Sequence, residues 1–138
     1  MSLSQPESQL MLFMSQIFSR CSVVSVGRPG FRGCPFVNAV AELGSEDQSV
    51  RRIAIEFKES RRLWFRDLLA QLGVTEAGAL ATQLTLLVDG SIAQDLVRND
   101  PAMARAAKEA ATVLLRNAGV KVGGRSAAEK RAPKKRQS

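Results

Sequence analysis

The chain has 138 residues, which suits one domain with one core, since a body of about 120 residues buries roughly two thirds of its unfolded surface. Its net charge is +7, but Lys121 to Ser138 holds seven Lys/Arg against the single acid Glu129; the remaining body is nearly neutral, and its charge is no argument for a nucleic-acid-binding fold. Two cysteines, Cys21 and Cys34, with no histidine exclude a secreted disulfide framework and the usual mixed zinc ligand sets, so a reducing cytoplasm is the expected location and no cofactor is expected.

Pro6 suits a first helical turn, and Leu10, Phe13, Met14, Ile17, Phe18 and Cys21 then recur at the three- and four-residue steps of one helical face. The apolar run Leu10 to Phe18 is broken by Ser15 and Gln16 and follows no Lys or Arg, so it reads as neither a signal peptide nor a membrane span. Val23, Val24 and Val26 weaken the helix, and "GRPG" from Gly27 to Gly30 ends it. A second, short helix is expected over Pro35 to Leu43, with Cys34 near its N-cap and Gly44 closing it.

Val50, Ile53, Ala54, Phe57, Trp64, Phe65, Leu68 and Leu72 mark the apolar stripe of a long third helix that stops at Gly73. Arg61 falls in the middle of that stripe. It requires a carboxylate such as Glu42, Asp89 or Asp95, a path to solvent, or a cavity holding water or an anion. A fourth helix from Thr75 and Glu76 to about Val97 is apolar over most of its circumference, with Leu80, Leu84, Leu87, Val88 and Ile92 on one face and Leu86, Ala93 and Val97 on a second strip. Asp100 and Pro101 open a fifth, in which Ala104, Ala107, Ala110, Ala111, Leu114 and Leu115 face one way and Gly119 ends the element.

Five helices and no convincing strand define an all-α bundle over residues 1–120, followed by a basic tail, 121–138, whose composition predicts disorder. The last two helices carry more apolar surface than a small monomer needs. They are expected to meet a second copy as an intermolecular four-helix bundle through Leu86, Ala93, Val97, Ala107, Ala111, Leu114 and Leu115.

"GCPFVNAVAEL", "SVRRIAIEFKESRRLWF" and "LATQLTLLVDGSIAQDLVRNDPAMARAAKEAATVLL" together resemble the C-terminal regulatory domain of TetR-like transcriptional regulators, in the branch where Gly-Cys-Pro-Phe opens a short helix. The resemblance covers about residues 8 to 118 and rests on order and separation of apolar and small residues. It implies an all-helical homodimer that binds a small-molecule effector and dimerises through its last two helices. In the family an N-terminal helix-turn-helix reads DNA. Here only nine residues precede Leu10, too few for such a head, so the expectation is a sensor without its reader, from a truncated start or as a stand-alone domain. Leu12, on the polar side of the first helix, is either an ordinary exposed leucine or a contact to that head.

The effector pocket implied by the resemblance is expected among the first four helices. Phe13, Ile17, Phe18, Phe36, Phe57, Trp64, Leu84 and Leu87 would wall it, with Asn38, Arg61 and Ser91 as polar contacts. An enzyme is not expected: no phosphate loop or carboxylate cluster appears, and Cys34, the one plausible nucleophile, has an ordinary capping explanation. The alternative reading is a stand-alone helical interaction protein whose tail binds nucleic acid without reading its sequence; a purely solubilising tail is the plainer version.

Overall fold

A computed structural model describes residues 3–25 and 30–122, with side chains of the first helix described to Gln16. It is all-helical: α1 (Gln5–Ser25), α2 (Pro35–Leu43), α3 (Gln48–Gln71), α4 (Ala77–Arg98) and α5 (Ala102–Asn117), with no strand among the described residues. Residues 123–138 of the tail expected to be disordered, 121–138, and residues 27–29 of the "GRPG" turn lie outside the described residues.

The helix ends follow local chemistry. Ser4 N–H donates to Glu7 Oε2 at 2.7 Å and Glu7 N–H reaches back to Ser4 Oγ at 3.4 Å, a reciprocal capping box that starts α1 one residue before Pro6. Asp47 caps α3 by accepting from the Ser49 N–H at 2.8 Å and the Ser49 hydroxyl at 2.6 Å. At the other end Gly73, at φ +78°, lets its own N–H reach the Ala70 carbonyl and the Val74 N–H the Leu69 carbonyl, closing α3 in a Schellman turn. Asp100 accepts from the Ala102 N–H at 2.9 Å, and Pro101 has a helical φ of −63°. Cys34 stands before Pro35 as expected, but its side chain makes no capping bond; that thiol is free and half-buried.

Around these ends α4 is the central element, in contact with α1, α3 and α5, while α2 rests on α3 alone. The core is Leu10 and Met14 of α1, Phe65, Leu68 and Leu69 of α3, Leu80, Ala81, Leu84 and Val88 of α4, and Ala111 and Leu115 of α5, closed by Val120. Two faces differ from their sequence reading. Leu69 is central to the core, whereas Ile53, Phe57 and Trp64 lie toward solvent, because α3 turns its 54, 65, 68 and 69 positions inward. In α5 the inward face is Ala104, Ala111 and Leu115, leaving Ala110 exposed.

Phe65→Ala should lower unfolding free energy in urea by about 3–5 kcal/mol, through lost burial plus a cavity. Leu12→Ala, at a residue 61% exposed, should change it by less than about 0.5 kcal/mol.

The caps also set an acid dependence. The Glu7 carboxyl lies below its ordinary 4.5, chiefly because the Ser4 backbone N–H stabilises the carboxylate, and Asp47 lies below 3.8, chiefly through the Ser49 hydroxyl. Both values are depressed in the fold, so the stabilisation is complete above the ordinary values and is lost as pH falls through the lowered ones. Urea midpoints measured between pH 7 and pH 3 should therefore decline less steeply at the acid end for a Glu7→Gln, Asp47→Asn double variant than for the unsubstituted chain.

Candidate functional site

A cleft of about 370 Å³ lies between α2 and α3. Phe36, Val37 and Val40 of α2 form one wall; Arg51, Ala54, Ile55, Lys58, Glu59 and Arg62 of α3 form the other, with Thr85 of α4 behind. Positions 51, 55, 58 and 62 recur at helical steps of four, three and four, which places three cations and one isoleucine along a single stripe of α3.

What brings α2 to this place is the loop before it. Gly33, at φ +76°, supplies a left-handed turn, and a Cβ there would stand 3.0 Å from Leu96 Cδ2, so the loop lies directly on α4. Asn38 Nδ2 then donates to the Arg32 carbonyl at 2.6 Å, tying α2 back to the loop. Phe36 stacks on Phe57 of α3 with ring centroids 4.0 Å apart and planes 15° from parallel.

The charges of the cleft fall into three groups. Arg62 grips Glu59 with two nitrogens, Nε at 2.8 Å and Nη2 closer still; this fork holds the Glu59 carboxyl below and the Arg62 guanidinium above their ordinary values. Asp89 of α4 accepts from Lys58 Nζ at 2.7 Å and from Arg61 Nη2 at 2.5 Å, so one carboxylate serves two cations. Arg51 has only a long bond, 3.4 Å, to the Gly44 carbonyl and no carboxylate partner among the described residues.

Of the pocket residues expected from sequence, only Phe36 lines this cleft. Phe57 stacks on it from behind, and Asn38 holds the loop. Arg61 is an interhelical ion-pair residue, 15% exposed, with its guanidinium 5.9 Å from the Phe57 ring centroid. Phe13 packs against Trp64 and Phe65 at centroid distances of 4.1 and 5.3 Å, beside the core. Leu84 is fully buried in the core, Leu87 packs against it, and buried Ser91 donates to the Val88 carbonyl at 2.7 Å. Packing has closed around Leu84 and Ser91, Leu87 is partly buried, and none of the three lines the cleft. The Ile17 and Phe18 side chains lie outside the described residues.

A second surface is apolar and open. Leu86 and Val97 of α4 are 65% and 82% exposed, and with Gly90 and Ala93 they recur at steps of four, three and four. Ala106, Ala110 and Val113 make a matching exposed stripe on α5. Helices α4 and α5 pack against each other, so the two exposed stripes belong to one pair of contacting helices. The expected interface is corrected here: Ala111 and Leu115 are fully buried within the chain and Ala107 and Leu114 pack on its core, so the α5 residues available to a partner are Ala106, Ala110 and Val113.

Asp95, 2% exposed on the inner side of α4, has neither carboxylate oxygen hydrogen-bonded among the described residues, so it is not the partner of Arg61. No described helix is long and apolar enough to cross a membrane. Comparison with protein-family models, with curated proteins and with solved structures finds no match.

Asp89→Asn should destabilise the fold by about 1–3 kcal/mol in urea, because it leaves Lys58 and Arg61 facing each other across a partly buried contact. Lys58→Met should cost less than about 1 kcal/mol, since the pair with Arg61 survives, and a double-mutant cycle should give a coupling between positions 58 and 89.

Proposed function

We propose that this chain is the effector-binding and dimerisation domain of a TetR-like transcriptional regulator. The observation that carries the reading is the open seam of α4 and α5. Large exposed apolar stripes on two adjacent helices are unusual on a monomer, and small residues such as Gly90, Ala93, Ala106 and Ala110 permit a twin pair of helices to approach closely. Support also comes from the five-helix order and from a cleft whose volume lies in the range of small-molecule sites.

In this reading the effector sits between α2 and α3 and the twin chain packs on α4 and α5. The Lys58–Asp89 pair joins the two, since Lys58 lines the cleft and Asp89 belongs to the helix that bears the seam. An effector that binds one disposition of α3 better than another would shift the population of dimer arrangements by that difference in affinity.

Sedimentation at micromolar concentration should give twice the chain mass. Leu86→Glu or Ala110→Glu should push the chain toward monomer while helical circular dichroism is retained, and Lys108→Glu, on the side of α5 away from Ala106, Ala110 and Val113, should not. A monomer at those concentrations removes the reading.

The basic tail favours a second activity, non-specific nucleic-acid binding, because Lys121 to Ser138 carries six net positive charges. Affinity should then be indifferent to sequence, fall steeply with salt, and vanish when residues 121–138 are deleted.

A further inference from the structure

We infer that the α2–α3 cleft takes an apolar monoanion, a carboxylate on a hydrocarbon or aromatic body, with Arg51 as the residue that recognises its charge. The inference rests on the reading of this cleft as the effector site and goes beyond it by naming the ligand's chemistry. The walls supply the apolar half: Phe36, Val37 and Val40 face Ala54 and Ile55, and Val37 and Ile55 are 53% and 60% exposed, so a hydrocarbon laid there removes apolar surface from water on both sides.

The charge balance supplies the other half. Three bases and one acid line the cleft. Glu59 is consumed by the Arg62 fork, and Asp89, behind the wall, already faces two cations with one negative charge. An added cation would meet no free carboxylate, and a neutral body would leave the Arg51 guanidinium unused. An anion would replace a 3.4 Å bond to the Gly44 carbonyl with a charge-assisted pair, at the edge of a surface that its hydrocarbon covers. A strongly hydrated polyanion gains nothing from such walls, which favours a single charge on an apolar body.

The experiment uses the full chain with 8-anilinonaphthalene-1-sulfonate as fluorescent probe and N-phenyl-1-naphthylamine as its uncharged counterpart, each displaced in turn by octanoate, 1-naphthoate and octanol. Octanoate or 1-naphthoate should displace the probe at a concentration about tenfold below octanol at low salt, and the preference should shrink as salt is raised. Arg51→Met should abolish the preference by weakening the carboxylates about tenfold and leaving octanol unchanged; Arg51→Lys should restore part of it. Val37→Glu, at an exposed wall position, should repel the carboxylates from the same place. Octanol and the carboxylates binding equally, with no response to Arg51→Met but a loss on Val37→Glu, would overturn the anion assignment and leave the effector cleft standing. Absence of probe binding, or binding indifferent to both positions, would overturn the inference and the effector-cleft reading together, without touching dimerisation through the seam.

Discussion

Everything in this fold is arranged around a guanidinium that sits on the inward side of a helix. Arg61 lies one turn from Phe65 on α3, in line with the core residues, and a charge placed there is tolerable only if something neutralises it without leaving the protein. Asp89 does so from α4, and because Lys58 also binds Asp89 the carboxylate fixes two successive turns of α3 against one point of α4. The rotation of α3 about its own axis follows from this. With Arg61 turned toward α4, positions 51, 55, 58 and 62 line the cleft beneath α2, Phe57 and Trp64 pack on Phe36 and Phe13, and Ile53 is exposed.

The same constraint explains the division of labour on α4. Its inner side is taken by the core, one flank by α3 through Asp89 and Thr85, and another by α5. Only the side bearing Leu86, Gly90, Ala93 and Val97 is left, and the chain has no further described helix to cover it. A helix apolar nearly all round has a use for covering on every side. The surplus apolar strip on α4 is therefore visible both as a pattern and as an uncovered surface, which gives the proposed dimer its physical basis.

How far the sequence reveals this can be judged element by element. The glycine and proline punctuation places all five helices within about two residues of their ends, because turn chemistry acts locally. The Ser4–Glu7 box is an S-x-x-E pattern ahead of an apolar run, a start signal that the reading from Pro6 passed over. Helical faces were less legible. In α3 the apolar stripe is broad enough to be read two ways, and the ion pair, a contact across 28 residues, decides between them. In α5 alanine is small enough for either face, so periodicity cannot separate Ala110 from Ala111, one exposed and the other fully buried. The cleft was least legible of all, since its walls are an exposed stripe of α3 that reads as a solvated charged face until α2 is laid over it. A spacing of Arg51, Ile55, Lys58 and Arg62 opposite an apolar short helix is the signal that points to it.

The position of Asp89 gives the proposed sensor a route for coupling that needs no large movement. A body entering the cleft meets α2, α3 and Thr85 of α4, and one of the cations that line it, Lys58, is shared with α4. An anion near Lys58 competes with Asp89 for the ammonium; a hydrocarbon that excludes water from the same contact strengthens the remaining Arg61 pair. Either change alters how firmly α3 is held to α4, the helix on which exposed Leu86 and Ala93 lie three and four residues from Asp89. The exposed strip thus begins within one helical turn of Asp89, and a coupling between the two surfaces of the usual size, about 1–3 kcal/mol, is comparable to the expected contribution of the Asp89 cluster itself.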